Sequence, residues 1–358
     1  MEHDPGREID IWYMSGMSLC NFDCAYCAAG IPEQGGERSR KAMWLTPDGA
    51  DTFHRILARL AALPYRFGLR LQTIGEPFVS DELLAGVAFM TRQDRVRFVE
   101  MVSNGSLLER RLLRIRDEHG GDLDKISIWT TFHHTQITAA ELVANAAFAQ
   151  RHVKQVVVNA LLFPDNAAQI DELHRLCRSH GSLALNVDPG YNHNAVFDTG
   201  ILPLLDLDPE RAGAGSPARL DLLGPRSVVA ANLIAALDPR GQPCSAGHDY
   251  VFVNPRGDVY PCLGYSRQLA GTRLGNVLDD DFALALRDQA YAPCGIDSGC
   301  LCKEDFLHLA IARPHRDNTA SLGTVRMSAR DTLDDATRER LRGLLTSRSG
   351  GRTFLRVL

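Results

Sequence analysis

Short apolar segments alternate with amphipathic segments along the first half of the chain. The apolar segments are rich in β-branched and aromatic residues and predict six strands, at residues 8–14, 69–74, 96–103, 125–131, 154–162 and 183–188. The intervening pattern predicts helices at 46–63, from 80 onward, and at 107–116, 139–150 and 166–179, with Thr46 as the first N-cap and Pro47 at the first helical position. Six strand–helix alternations with short loops predict an α/β fold with a parallel sheet. We expect a partial (βα)6 barrel, because a closed barrel needs eight units.

The alternation ends at Pro189-Gly190, and composition divides the remaining chain. We predict a barrel at 1–190, a connector at 191–243 with a helix around 227–237, a small cysteine-rich α+β domain at 244–302, and a C-terminal helical tail at 303–358 with a helix at 336–345. Two short apolar runs flank the turn sequence at 254–258 and predict a β-hairpin in the cysteine-rich domain.

Composition and charge narrow the class of protein. The chain has 358 residues, of which 45% are hydrophobic and 23% charged, as in an ordinary globular protein. A formal net charge of −5 gives no indication of a nucleic-acid partner. No apolar run is long enough to span a membrane, and residues 1–8 contain no apolar signal region. A cytoplasmic protein is therefore expected.

The nine cysteines fall into two groups and one isolated residue. Cys20, Cys24 and Cys27 have the spacing C-x3-C-x2-C, whereas Cys177 lies at helical spacing among apolar residues and is expected in the core. The second group comprises Cys244, Cys262, Cys294, Cys300 and Cys302. Clustered cysteines in a reducing compartment indicate metal or cluster ligands. Three thiolates can hold three irons of a four-iron cluster and leave the fourth iron open for a ligand.

The N-terminal motif, with Tyr26 before its last cysteine and a position after the first strand, resembles the signature of radical S-adenosylmethionine (AdoMet) enzymes. The resemblance covers approximately residues 8–190. It implies a [4Fe–4S] cluster on Cys20, Cys24 and Cys27 whose open iron binds AdoMet. It further implies reductive cleavage of AdoMet to a 5′-deoxyadenosyl radical, which removes a hydrogen atom from a substrate carbon. A zinc site or unrelated thiols is the alternative interpretation.

The resemblance also suggests residues that contact AdoMet. The sequence at 73–77 resembles the family's glycine–glutamate–proline motif, with Ile74 where many members have glycine, and places Gly75 and Glu76 near the methionine amino group. Further candidates follow the later strands: Ser103 and Asn104 for the ribose, Thr131 with Thr130 and His133 for cofactor or substrate, and Asn159 for the adenine. Ser103 and Asn104 could instead form an ordinary turn, and Thr130, Thr131 and His133 could cap the next helix. For the pair His133-His134 we favour a substrate-side or surface role over a metal site. No catalytic residue is assigned.

In the second half, Cys244 and the spacing Gly257-x4-Cys262, followed by Gly275-Asn276-Val277, resemble the iron–sulfur extension called SPASM or its shorter form, twitch. Five thiols suffice for one four-iron cluster and not for two, so one auxiliary [4Fe–4S] cluster is expected. Which four of the five ligate it stays open, and a spare thiol could donate a hydrogen atom. A zinc ribbon is an alternative.

The first functional expectation is an oxidative modification, either dehydrogenation or bond formation, with the auxiliary cluster as electron acceptor. The expected substrate is a small molecule, such as a sugar or aminocyclitol, or a short peptide. The apparent lack of an extension before the first strand disfavours a substrate that needs a leader. An external one-electron donor of the flavodoxin or ferredoxin type would be required. The alternatives are a redox-neutral epimerase with a cysteine hydrogen donor and, from another class, a zinc-binding cysteine-rich scaffold.

Overall fold

A computed structural model of the chain describes residues 7–24, 43–45, 48–163, 166–181, 183–189, 226–297, 299–300, 303–317, 319–322 and 335–348. The predicted cap at Thr46 and Pro47 lies outside these ranges. The helix that should follow it is present as α1 (Gly49–Ala61).

A parallel sheet forms the centre of the fold. Its strands are β1 (Glu8–Met14), β2 (Arg66–Gln72), β3 (Val96–Ser103), β4 (Ile126–Phe132), β5 (Gln155–Leu162) and β6 (Ala184–Pro189). Each strand pairs in parallel with its successor in the sequence. The predicted α/β class with a parallel sheet is therefore confirmed, and β2 begins three residues earlier than predicted.

Helices cover one face of this sheet. They are α1, α2 (Asp81–Thr91), α3 (Leu108–Arg111), α4 (Arg114–Asp117), α5 (Ala139–Gln150) and α6 (Ala167–Ser179). The predicted helix at 107–116 is thus two short helices, α3 and α4. Ser80 caps α2 by accepting a hydrogen bond from Leu83 N, and α5 begins with a capping box. Among the described helices none combines the length and hydropathy needed to cross a membrane.

Side chains on the opposite face alternate with those that contact the helices. Trp12, Arg70, Glu100 and Ser127 lie side by side in the register of β1 to β4. The Arg70 guanidinium lies 3.0 Å from the Glu100 carboxylate, and both groups are almost completely buried. This face, which we call the inner face, therefore combines aromatic and ionic side chains.

The cysteine-rich segment continues the same sheet. The predicted hairpin is present as β8 (Tyr250–Val253) and β9 (Asp258–Tyr260), and β8 pairs in parallel with β1. With β10 (Gly275–Asn276), the sheet of the described residues has nine strands in the order β10-β9-β8-β1-β2-β3-β4-β5-β6. An otherwise unpaired edge of β1 is thereby hydrogen-bonded. Pairing with β8 continues the sheet across the predicted boundary at residue 244.

The remaining elements surround the hairpin. They are α7 (Arg226–Leu237), β7 (Pro243–Cys244), α8 (Leu263–Gln268), β11 (Ala292–Pro293), α9 (Lys303–Phe306) and α10 (Asp335–Arg348). Strand β7 pairs with β11 in a separate two-stranded sheet. Trp12 and Phe98 of the inner face share an apolar cluster with residues of this region, including Phe252 and Leu322.

Candidate functional site

The segment after β1 lies against the end of β2. The backbone N–H groups of Ile74 and Gly75 donate to Met17 O at 3.0 and 3.1 Å, and Glu76 N donates to Leu19 O at 2.9 Å. A Cβ added to Gly75 would lie 2.0 Å from Leu19 O. Only glycine allows this close approach. It fixes the start of the described segment 15–24, called the cysteine loop below, at the carboxyl end of the sheet.

Glu76 joins the end of β2 to the end of β3. Its Oε1 accepts hydrogen bonds from Ser103 Oγ at 2.8 Å and Phe78 N at 3.2 Å, and its Oε2 accepts one from Asn104 N at 2.7 Å. Burial raises the pKa of Glu76 to about 7, although the three hydrogen bonds act in the opposite direction. The carboxylate therefore positions neighbouring backbone, and its contact with a methionine amino group stays a prediction.

Asn104 connects β3 to the cysteine loop. Its Nδ2 donates to Asn21 Oδ1 at 2.9 Å and lies 4.0 Å from Cys20 Sγ. Ser103 Oγ also accepts from Gly105 N at 2.9 Å. The structure therefore brings the predicted residues Gly75, Glu76, Ser103 and Asn104 together beside Cys20. Asn21 was not predicted, although it follows Cys20 directly.

His133 lies on the other side of the cysteine loop. Its Nδ1 is 3.4 Å from Cys24 Sγ, and its ring contacts the Phe22 ring edge-on at 5.9 Å between centroids. Burial, and to a smaller extent His134, lowers the pKa of His133 to about 4, so the imidazole is neutral at pH 7. His133 therefore contacts a cysteine of the motif, and its expected substrate-side or surface role stays a prediction.

A polar row crosses the inner face from β4 through β5 to β6. Thr131, Asn159 and Asn186 are aligned in the sheet register. Asn186 Nδ2 donates to Asn159 Oδ1 at 2.6 Å and to Asp188 Oδ2 at 2.8 Å. Sequence reasoning missed Asn186 and Asp188, although the alternating polar positions of β6 were a usable signal.

Thr130 differs from its neighbour Thr131 in orientation. It is fully buried, and its Oγ1 donates to Val157 O at 3.3 Å. Because successive side chains of a strand point to opposite faces, Thr130 faces away from the polar row. Of the two threonines only Thr131 is placed to contact a molecule at the inner face.

Four cysteines of the second group are buried in one apolar cluster: Cys244, Cys262, Cys294 and Cys300. Burial raises the pKa of all four thiols, to about 12 for Cys244, and their mutual electrostatic interaction acts in the same direction for three of them. Three of the sulfurs also accept backbone hydrogen bonds, from Ala246 N, Tyr265 N and Ile296 N. Cys177 is buried in the helical core, as expected.

The donor set at this second position fits an iron–sulfur cluster. Thiolates are the usual ligands of such clusters, and backbone N–H groups commonly donate to their sulfurs. Raised thiol pKa values mean that metal binding here would release protons. Tyr26, Cys27 and Cys302 lie outside the described residues. Within the described ranges no three His, Cys, Asp or Glu side chains surround a point suited to a single metal ion.

Residues 244–305 match the SPASM family, described as an iron–sulfur cluster-binding domain. The match contains all five cysteines of the second group. It confirms the predicted SPASM-type extension and, with it, the expectation of an auxiliary iron–sulfur cluster. It favours iron–sulfur over the zinc alternatives for this segment. No curated protein matches the chain.

The chain also aligns with solved structures at low sequence identity and with TM-scores below 0.5. Native anSMEcpe with bound AdoMet is 12% identical, with a TM-score of 0.47 and coverage of 95% of this chain and 98% of that chain. Streptococcus suis SuiB bound to S-adenosylmethionine is 13% identical, with a TM-score of 0.47 and coverage of 80% and 65%. BtrN in complex with AdoMet and 2-DOIA is 15% identical, with a TM-score of 0.37 and coverage of 76% and 79%.

Proposed function

We propose that the protein is a radical AdoMet enzyme that oxidises a small molecule or short peptide by dehydrogenation or bond formation. The observation that carries the proposal is the docking of the cysteine loop on the ends of β2 and β3. There Cys20 lies beside Asn104, and Gly75 and Glu76 are within the same hydrogen-bonded arrangement. The SPASM match in the second half supports the same class.

Cys20, Cys24 and Cys27 would hold a [4Fe–4S] cluster, with AdoMet on its open iron. The donor chemistry fits, because three thiols in the C-x3-C-x2-C spacing provide three of four positions. When bound and reduced by one electron, this pair of groups supplies a 5′-deoxyadenosyl radical that can remove hydrogen from a carbon. An external flavodoxin- or ferredoxin-type protein in the cytoplasm would provide that electron.

The chain's own residues would bind and orient AdoMet and the substrate. Gly75 allows the backbone to approach closely, and Asn104 holds the cysteine loop against β3. The polar row of Thr131, Asn159 and Asn186 offers hydroxyl and amide groups to the adenosyl part or the substrate. Apolar side chains such as Trp12 would exclude water beneath them.

The four described cysteines of the second group lie next to the inner face. Trp12 packs edge-on against Phe252 at 5.2 Å, and both share a cluster with the four buried thiols. This proximity supports oxidation over a redox-neutral reaction. An oxidised auxiliary cluster held by these thiols would accept one electron. Together with the loss of one hydrogen atom and one proton, this would oxidise the substrate by two electrons.

Metal analysis tests the proposed class against a zinc scaffold. The full chain would be purified and reconstituted anaerobically, and iron, sulfide and zinc would be measured. We expect iron and sulfide for two four-iron clusters, that is about eight of each per chain. We also expect AdoMet to change the EPR spectrum of the reduced protein. Stoichiometric zinc without an iron–sulfur chromophore would refute the proposal.

A further inference from the structure

The turn after β4 clamps the cysteine loop. His133 O accepts hydrogen bonds from Gln136 N at 2.8 Å and Ile137 N at 3.1 Å, which fixes the turn itself. The Gln136 side chain also makes two hydrogen bonds to the backbone of Asp23, one to its N–H and one to its carbonyl oxygen. Its Oε1 accepts from Asp23 N at 3.1 Å, and its Nε2 donates to Asp23 O at 3.3 Å. One side chain therefore holds the residue that precedes Cys24.

His133 contacts the residues on either side of Asp23. Its Nδ1 lies 3.4 Å from Cys24 Sγ, and its ring meets the Phe22 ring at an interplanar angle of 85°. A cysteine that ligates iron is a thiolate, which only accepts hydrogen bonds. The contact is then favourable with the proton on Nδ1, so that the imidazole donates and the Cys24 sulfur accepts.

The adjacent histidine has different surroundings. His134 Nδ1 lies 3.2 Å from Asn166 Nδ2, and its ring is tilted against the Phe163 ring at 5.7 Å. His134 therefore packs between the end of β5 and the start of α6. It provides a matched control, since it has the same chemistry one residue away.

We propose that His133 is a positioning residue for the cluster on Cys20, Cys24 and Cys27. The Nδ1–H of His133 donates to the Cys24 sulfur, and this hydrogen bond orients the ligand and favours the reduced state of the cluster. The inference rests on the proposed function. A reduced cluster carries one more negative charge, so a donor to a ligand sulfur stabilises it relative to the oxidised state. Hydrogen bonds to cluster sulfurs and to ligands are established determinants of potential and affinity.

Three variants of the full chain separate the hydrogen bond from the packing. His133→Phe keeps a ring against Phe22 but has no N–H, His133→Asn keeps an N–H at the position of Nδ1 without the ring, and His134→Phe is the control. Each reconstituted protein would be titrated with dithionite under EPR, following the cluster signal that AdoMet perturbs. At the potential where the wild-type cluster is half reduced, we expect at least a tenfold lower ratio of reduced to oxidised cluster in His133→Phe. His133→Asn and His134→Phe should stay within threefold of the wild type.

Equal titration of His133→Phe and the wild type would overturn the inference, as would an equally large shift in His134→Phe. If His133→Phe takes up no iron, the titration of His133→Asn tests the donor role instead. If this variant titrates as the wild type does, the donor role is supported. A tenfold lower ratio of reduced to oxidised cluster contradicts it. A wild-type protein without any AdoMet-sensitive cluster signal would overturn the proposed function, and the inference with it.

Discussion

The Glu76 carboxylate accepts a 2.7 Å hydrogen bond from the backbone N–H of Asn104, and this contact joins the ends of β2 and β3. Ser103 Oγ donates to the same carboxylate. Asn104 in turn holds Asn21 of the cysteine loop. Hydrogen bonds therefore connect this buried acid, through Asn104, to the residue that follows the motif's first cysteine, and the protonation of Glu76 affects stability.

The Glu76→Gln variant should change how the stability of the cluster-free protein depends on pH. The pKa of Glu76 is about 7 in the folded protein and about 4.5 when unfolded, because burial disfavours the charge. The contribution of protonated Glu76 to folding stability is fully present below pH 4.5 and is lost as the pH rises through 7. Across this pH window we expect the free energy of unfolding of the wild type to fall by on the order of 3 kcal/mol relative to that of Glu76→Gln.

Urea unfolding at pH 5 and pH 8 measures this difference. Using the difference between the two proteins removes the contribution of other titrating groups. Parallel pH profiles for the wild type and Glu76→Gln would show that Glu76 does not titrate in this range.

The Gly75→Ala variant should loosen the cysteine loop. Its Cβ would collide with the carbonyl oxygen of Leu19, a backbone atom that cannot rotate away. Overpacking of this kind typically costs about 1–3 kcal/mol, and we expect poorer iron uptake at the N-terminal motif. Gly271→Ala is the control, since a Cβ there meets nothing within 4 Å. Equal stability and iron content in both variants would refute the close approach.

The fold was largely predictable because its pattern is local. Alternation of β-branched segments with amphipathic ones located all six parallel strands, and the turn at 254–258 located the hairpin. What the sequence did not indicate is the pairing of β8 with β1, because parallel pairing between strands more than 200 residues apart leaves no local signal.

The buried pair of Arg70 and Glu100 should be sensitive to loss of one partner. Both side chains are almost fully buried, at 3% and 1% exposure, and their charged groups are 3.0 Å apart. Arg70→Met alone should cost about 3–5 kcal/mol, because it leaves an uncompensated buried carboxylate. The double variant Arg70→Met/Glu100→Met should recover most of that loss.

Chemical denaturation of the single and double variants completes this cycle. The surface pair Arg116 and Asp117 is the comparison, since both side chains are half exposed and Arg116→Met should leave unfolding unchanged. Additive losses at Arg70 and Glu100 would contradict direct coupling between the two charges.

The Cys262→Ala variant should lose the auxiliary cluster and keep AdoMet cleavage. Cys262 is buried among the other thiols of the SPASM segment, far along the chain from the N-terminal motif. After reconstitution we expect about four iron atoms per chain in place of about eight. Cys177→Ala, which removes a core thiol in α6, should retain the full iron content. Full iron content in Cys262→Ala would exclude it as a ligand.

The sequence predicted site residues only where they belong to a recognisable motif or lie at the end of a predicted strand. Gly75, Glu76, Ser103 and Asn104 follow strand ends and do converge beside Cys20. Other contacts depend on how two loops pack against each other. They are the contact of His133 with Cys24 and the hydrogen bonds between Gln136 and Asp23. Because loop conformation is set by tertiary contacts, the sequence gives no periodic signal for such pairs.

The proposed radical AdoMet chemistry is tested most directly by 5′-deoxyadenosine formation. The reconstituted wild type, incubated anaerobically with AdoMet and dithionite, should release 5′-deoxyadenosine and methionine in equal amounts, and Cys177→Ala should do the same. Cys20→Ala and Cys24→Ala should release none above background, since each would remove a proposed ligand of the cluster that binds AdoMet. Undiminished 5′-deoxyadenosine from either of these variants, or none from an iron-loaded wild type, would contradict the account.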